Sequence, residues 1–300
     1  MNAAPIITVI LPVYNRDRAL RRAIESVRRQ TLGEFECIVV DDASDYDIAE
    51  IVSTYRDRRF RVIRRDVNGG PYAARFTGLQ AMSGVYALFL DSDWELYPWA
   101  LAQACRYLDE TPKVSLVCAL HLRNEDSKLF VRIRDAPRVV TPEQARTEPA
   151  IPDRVAAFRR CLADEWLTKR PDYFAFEAHQ FLTAKVNHPH LYVDEPWTIY
   201  HVDSGDRVTE HRDSRELDDY VRFLDEHWQL ITDGTPYRLL DITLKNMYFA
   251  LRRRRRSEAA RAAEALRLRG ISPTRTLLEV GFRKALAKLS RFGKGGVTWV

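Results

Sequence analysis

Four times in its first 120 residues the chain passes from a strand-like to a helical hydrophobic period, and that alternation restricts its fold more than any other feature. The run "IITVILPVY" is continuously apolar, as suits a strand buried on both faces, whereas "RALRRAIESVRRQT" sets Leu20, Ile24 and Val27 at helical spacing with arginines opposite. The same unit returns as "FECIVVDD" with "YDIAEIVSTY", as "RFRVIRR" with "GPYAARFTGLQAM", and as "VYALFLD" with "PWALAQACRYLDE". Strands and helices in this order, joined by short connections, predict an α/β fold: a mostly parallel, Rossmann-like central sheet with right-handed crossovers and flanking helices.

Beyond residue 121 the pattern loosens. "LRNEDSKLFVRIRD" reads as a hairpin, and "TPEQARTEPAIPD", rich in proline and charge, as an exposed connection. Helical patterns return at "RVAAFRRCLADEWL" and "YFAFEAHQFLTAKV", followed by two short strands within "HLYVDEPWTIYHVD". Everything from about Ser214 reads as helix. The expected organisation is one domain over 1–213, with halves 1–120 and 121–213, and a helical, basic C-terminal extension over 214–300.

In open parallel sheets ligands bind beyond the carboxyl ends of the strands. The residues expected there are unusual. The first strand ends in Pro12-Val13-Tyr14-Asn15, the second in Asp41-Asp42, the third leads to Asn68-Gly69-Gly70, and the fourth closes on Asp91-Ser92-Asp93. Two carboxylates ending a buried strand repel one another and lose hydration, which is costly without a cation or hydrogen-bond donors. A hard divalent ion is one answer, since Mg²⁺ and Mn²⁺ favour carboxylate and phosphate oxygens. Another is a helix N-cap, with Asp93 opening a helix over "WELYPWAL". Asn68-Gly69-Gly70 fits an ordinary turn, and equally a helix start whose N–H groups attract anions.

Taken together and in order, "TVILPVYNR", "CIVVDDAS", "NGGPYAAR" and "SGVYALFLDSD" resemble, over roughly residues 6–110, the nucleotide-sugar domain of family 2 glycosyltransferases, which have the GT-A fold. The resemblance implies an inverting transferase that uses Mg²⁺ or Mn²⁺ and a nucleoside diphosphate sugar, with a UDP-sugar favoured. It makes 1–120 the nucleotide-sugar half and 121–213 the acceptor half. Pro12, Val13, Tyr14 and Asn15 would contact the nucleoside, with Tyr14 packing on the base. Asp42 would accept from base or ribose, since one carboxylate can take two donors at once. Asn68, Gly69 and Gly70 would form the turn before the third helix, and Arg75 would reach nucleotide or phosphate. Asp91 and Ser92 would lie on the nucleotide or sugar side, and Asp93 would ligate the metal.

The same resemblance places the catalytic base after the acceptor loop. The family carries a Glu-Asp pair at the start of a helix, and the matching stretch "DYFAFEAHQFLTAKV" has Phe176-Glu177 instead. Glu177 is the expected general base, with Asp172 and Glu165 as rivals. Further on, a Tyr-Arg-x-His stretch of the family corresponds to Tyr200-His201-Val202-Asp203. Either Asp203 or His201, which alternation puts on one strand face, would complete the metal site, and Arg207 would reach the diphosphate from a loop.

Charge and composition exclude other classes. The net charge of +5 conceals an asymmetry: residues 251–300 hold fourteen Lys and Arg against three Glu, a net of +11, leaving −6 (5 − 11) for the first 250. The basic character belongs to the tail, and no nucleic-acid recognition motif accompanies it, so no nucleic acid is expected as partner. A basic amphipathic pattern with Leu278, Phe282, Ala285, Leu286 and Leu289 on one face fits either an anionic membrane surface or a helix packed on the domain. No apolar run approaches about twenty residues, and no basic n-region precedes the first strand. A cytoplasmic protein is therefore expected, with the membrane's inner face as its peripheral site if the tail binds lipid. Cys37, Cys105, Cys118 and Cys161 lack metal spacing and are expected as buried free thiols. No Gly-x-Gly-x-x-Gly follows the first strand, which argues against a dinucleotide-dependent dehydrogenase.

The functional expectation is sugar transfer from a nucleoside diphosphate sugar to a hydroxyl on a glycan, lipid-linked or protein acceptor, in making a cell-surface polysaccharide, glycolipid or glycoconjugate. The alternative is a catalytically silent sugar-nucleotide or glycan-binding module of the same fold.

Overall fold

The computed structural model describes residues 5–123, 137–147, 155–168 and 177–201, with helical positions 260, 263, 264 and 267. The first half is built as the periodicity dictates: β1 Ile7–Val13, α1 Asp17–Arg28, β2 Phe35–Asp41, α2 Ile48–Ser53, β3 Phe60–Arg64, α3 Gly70–Ala81 and β4 Tyr86–Phe89. Every residue of β1 and of β4 is buried, which is why these strands are apolar without alternation. β1 pairs in parallel with β2 and β4, and β2 with β3. Their carboxyl ends therefore open on one edge of the sheet.

Beyond β4 the pairing is mixed. The chain continues as β5 Trp94–Leu96, α4 Ala100–Glu110, β6 Leu116–Arg123, β7 Arg138–Val140, α5 Pro142–Thr147, β8 Val155–Arg159, α6 Arg160–Thr168, α7 Glu177–Asn187 and β9 His190–Tyr200. The sheet order is β3-β2-β1-β4-β8-β6-β9-β5, with β7 also on β9. β8 runs antiparallel between β4 and β6, while β6 and β9 are parallel with shifts of register around Leu120. β7 and β5 lie antiparallel at opposite ends of β9, at His190–Tyr192 and Thr198–Tyr200.

Four sequence readings change here. "RVAAFRR" is not the start of a helix: Val155–Phe158 are a strand buried on both faces, and the helix begins only at Arg160. The two short strands expected before His201 are one strand of eleven residues, paired with β6 on both sides of an irregularity at Leu120. The proline-rich connection contains the short helix α5. Cys37, Cys105 and Cys118 are buried free thiols as expected, but Cys161 is exposed on α6. Most of the proposed hairpin "LRNEDSKLFVRIRD" lies outside the described residues, apart from Leu122 and Arg123 at the end of β6.

Both faces of the sheet are covered. Leu20, Ile24 and Val27 of α1, with Leu101 and Ala104 of α4, pack on Val9, Leu11, Val39 and Leu88. On the opposite face, α3 approaches β1 so closely that a Cβ at Gly78 would stand 2.4 Å from Cγ2 of Ile10. There Phe89 and Phe158 pack at 5.0 Å between ring centroids, and Trp166 of α6 meets Phe158 at 4.8 Å. Among the described residues no helix is long and apolar enough to cross a membrane. The chain divides into two compact units, one of residues 1–145 with 152–211, the other of 146–151 with 212–300.

Candidate active site

The carboxyl edge is built from four strand ends. β1 delivers Tyr14, 44% exposed, followed by Asn15, which turns in the left-handed region at φ 51°. Asn15 ties its loop to the one after β2: its backbone N–H donates to Ser44 Oγ at 3.0 Å, its side-chain amide donates to Asp45 at 2.8 Å, and its Oδ1 accepts from Asp45 N at 2.8 Å. The peptide N–H of Asp42 donates to the carbonyl of Val13 at 2.9 Å, so the ends of β1 and β2 are pinned side by side. Pro12 pairs in register with Val40, and Val13 with Asp41.

Asp42 is buried, and its carboxylate accepts from Gly69 N at 3.1 Å, Gly70 N at 2.7 Å and the Arg65 guanidinium. Asn68 Oδ1 accepts from Gly70 N as well, at 3.1 Å. The acid therefore caps α3 from a neighbouring strand, and the N–H groups expected to face phosphate bond to Asp42. Gly70 sits at φ 82°, a conformation that glycine adopts without a Cβ penalty. Asp47 caps α2, accepting from Ala49 N and Glu50 N.

The acid pair occupies the turn between β4 and β5. Leu90 N donates to Ile10 O at 3.0 Å and Trp94 N to Asp91 O at 2.9 Å, which closes the turn around Ser92. Because Trp94–Leu96 is a strand, and α4 begins only at Ala100, Asp93 caps no helix. Each carboxylate meets one arginine. Arg75, buried in α3 with its guanidinium 5.4 Å from the Phe89 ring, donates to Asp91 Oδ1. Arg16, at the N-cap of α1, donates to Asp93 Oδ2 at 2.9 Å. Burial, and then the charge of Asp91, push the Asp93 carboxyl above the usual carboxylate range, and Arg16 opposes them.

The C-terminal end of β9 forms the adjoining wall. His201 N donates to Asp93 O at 3.1 Å, and its Nε2 lies 2.9 Å from Glu95 Oε2. His121 packs against Trp94 at 4.1 Å and Tyr200 at 5.6 Å between ring centroids. His201 is thus beside the acid turn through its backbone, with its ring on Glu95. Glu177 opens α7. Glu165, the rival base, lies 2.7 Å from Nε2 of His188. Asp172, Asp203 and Arg207 lie outside the described residues.

Arg16, Arg65 and Glu95 were not anticipated. Arg16 is 77 residues from its acid, and nothing in local spacing connects the two. Among the described residues no cluster of three or more His, Cys, Asp or Glu could hold a metal ion. The chemistry of the acids nonetheless fits Mg²⁺ or Mn²⁺ ligated chiefly by a nucleotide: Asp93 offers a buried carboxylate at the rim, and such ions are commonly held by one or two carboxylates plus substrate phosphates.

This sheet, with its acid turn after the fourth strand, is the GT-A architecture. The chain belongs to glycosyl transferase family 2, whose family model matches residues 8–164, just over half of its length. It is 34% identical over 141 residues to the uncharacterized glycosyltransferase EpsJ of Bacillus subtilis, covering 46% of this chain and 40% of EpsJ. A PGL/p-HBAD biosynthesis glycosyltransferase of Mycobacterium bovis is 34% identical over 119 residues, 38% of this chain and 46% of that protein. The chain thus spans less than half the length of these curated relatives. Among solved structures, the mannosyltransferase PcManGT from Pyrobaculum calidifontis, in complex with GDP-Man and Mn²⁺, superposes with TM-score 0.58 at 22% identity, covering 97% of this chain and 83% of that one. TarS 1–349 of S. aureus, in complex with UDP-GlcNAc, gives 0.56 at 18% identity, over 88% and 92%. At these identities the likeness is one of fold.

Proposed function

We propose that this chain is an inverting, metal-dependent glycosyltransferase that moves a sugar from a nucleoside diphosphate sugar to a hydroxyl acceptor in cell-surface polysaccharide, glycolipid or glycoconjugate synthesis. The observation that carries the reading is the Asp91-Ser92-Asp93 turn, two carboxylates held at the edge of a GT-A sheet and each facing an arginine. Family membership supports it, as do structural neighbours holding UDP-GlcNAc or GDP-Man.

In this reading Tyr14 and Asn15 border the nucleoside, while Asp42 positions the α3 turn next to it. Asp91 and Ser92 face the ribose or sugar, and Asp93 holds the ion. A bound Mg²⁺ or Mn²⁺ supplies charge neutralisation for the departing diphosphate, worth several kcal/mol in catalysis of this kind. Glu177 takes the proton of the acceptor hydroxyl as that oxygen attacks the anomeric carbon opposite the leaving group. Arg207 and Asp203 are assigned to the diphosphate and the metal on the family resemblance alone, and His201 to the ion's surroundings.

A thermal-shift screen with UDP, GDP and their sugars, with and without Mn²⁺, tests the reading, because a ligand bound to the folded state raises apparent stability. The expected result is a Mn²⁺-dependent rise for one nucleotide family, largest for UDP, and its loss in Asp93→Ala. No shift with any nucleotide would overturn it. The Phe176-Glu177 departure favours a second reading, a silent binding module, which predicts the same shifts with neither donor hydrolysis nor transfer.

A further inference from the structure

We propose that Arg65 reads the base of the donor: its guanidinium donates to the exocyclic oxygen of an oxo base, uracil or guanine, and rejects the amino group that cytosine or adenine carries in its place. The inference rests on the reading of the acid turn as the diphosphate end of the site.

That reading fixes where the base lies. With the phosphates at Asp91 and Asp93 beyond β4, the row of parallel carboxyl ends continues through β1 and β2 to β3, since β8, on the other side of β4, runs antiparallel. β3 stands three strands from β4, about 14 Å at ordinary interstrand spacing. An extended nucleoside diphosphate covers that span, so its base falls over the ends of β2 and β3, past Tyr14.

Two consecutive acids end β2, and two consecutive arginines at the end of β3 meet them, with Asp41 in register with Arg64. The two pairs are built differently. Arg64 braces the β2 loop, donating to Asp41 Oδ2 at 2.6 Å, Ser44 O at 2.8 Å and Tyr46 O at 3.4 Å. Arg65 Nη1 donates to Asp42 Oδ1, and among the described residues that is the only hydrogen bond of its guanidinium. The fork lies against the start of α3: a Cβ at Gly69 would stand 2.6 Å from Nη1 and 2.7 Å from Nη2. With 18% of the side chain exposed, Arg65 is held from two sides and still open at the rim.

Asp42 has little left for a base. A carboxylate offers about four lone-pair sites; three of them here accept from Gly69 N, Gly70 N and Arg65, and the side chain is 4% exposed. The group that meets the base at this end is therefore a donor.

A guanidinium carries N–H donors and no acceptor. Uracil differs from cytosine, and guanine from adenine, by a carbonyl oxygen where the other has an amino group, so only the oxo member of each pair can accept from Arg65. Against the amino member, donor faces donor and both stay unpaired. A mismatch of this kind at a base edge is worth on the order of tenfold to a hundredfold in affinity. If Arg65 held a phosphate or merely braced Asp42, its loss would weaken every nucleotide by the same factor; as a reader, its loss erases a preference. The ratio separates the roles.

The experiment is isothermal titration calorimetry of UDP, CDP, GDP and ADP, each with Mn²⁺, against the full chain as wild type, Arg65→Met and Gly69→Ala. Wild type should bind the oxo member of one pair, pyrimidine or purine, roughly tenfold or more tightly than its amino partner. Arg65→Met should bring that ratio close to one while the amino nucleotide changes little. Gly69→Ala, whose new methyl group displaces the fork, should lower the ratio with Arg65 still present. Should Arg65→Met fail to fold by circular dichroism, Arg65→Gln, whose amide offers donor and acceptor alike, carries the same test. A preference that survives in Arg65→Met, equal weakening of both members, or a wild type without an oxo preference overturns the assignment and leaves the nucleotide site standing. No binding of any nucleotide by wild type overturns the site and the assignment with it.

Discussion

The carboxylate of Asp42 accepts the backbone N–H of Gly70 at 2.7 Å, so an acid at the end of β2 fixes the first turn of a helix 28 residues away. With Gly69 N and Arg65 also donating to it, Asp42 is the residue on which the α3 end of the site is assembled.

Truncating it has a structural cost first. Asp42→Ala removes the acceptor of Gly69 N and of the Arg65 guanidinium and leaves Gly70 N with Asn68 Oδ1 alone, and a buried group so stranded costs about 1–3 kcal/mol. Urea denaturation should show a loss of that order. A variant as stable as wild type, with only nucleotide binding reduced, would mean that Asp42 serves the ligand and not the turn.

Gly78→Ala tests how closely α3 lies on β1. Its new methyl group would meet Cγ2 of Ile10, and overpacking of this kind typically costs about 1–3 kcal/mol. Ile10→Ala in the same chain should recover part of the loss, giving a favourable coupling in a double-mutant cycle. Additive losses would place the strain elsewhere.

His190 gives the fold an acid-sensitive point far from the acid turn. Burial, then the nearby charge of Lys185, lower its ring to about 4 from an ordinary 6.5, against a weaker pull from the His188 carbonyl. A group whose folded pKa is depressed adds stability that is present above the unfolded value and is lost as pH falls through the folded one. Stability should therefore decline from about pH 6.5 towards 4, by at most roughly 3 kcal/mol from this residue. His190→Gln should flatten that limb in chemical denaturation run across the range; parallel curves for the two proteins would remove His190 as the cause.

Glu177→Gln tests the proposed base. The amide keeps the size of the side chain and lacks its basic electron pair, so donor affinity should hold while transfer falls by about 10²- to 10⁴-fold. Asp172→Asn is the companion measurement at saturating donor. Wild-type transfer in Glu177→Gln with loss in Asp172→Asn would move the base to Asp172.

What the sequence discloses stops where local pattern stops. β1 to β4 and their helices are legible because each strand is an apolar run beside an amphipathic helix. Val155–Phe158 is equally apolar, yet it precedes the polar-patterned "RRCLADEWL" without a break, and periodicity alone cannot separate a strand buried on both faces from a buried helix. Trp94–Leu96 carries no strand signal of its own; it is extended because Thr198–Tyr200 pairs with it. The acids were legible as a motif. Arg75 was legible as a site residue but its pairing with Asp91 was not, and Arg16 was not at all, since they meet Asp91 and Asp93 only through the arrangement of α3 and α1 around the sheet.

That late partner for β5 sets an order of assembly on the ribosome. Asp41, Asp42, Asp91 and Asp93 have all been made by the time residue 93 is joined, but the ladder that holds β5, and the His201 N–H that holds the Asp93 carbonyl, come from more than a hundred residues later. The nascent chain can pair β1 to β4 early, while the strand that follows Asp91 and Asp93 waits for its partner in the second half.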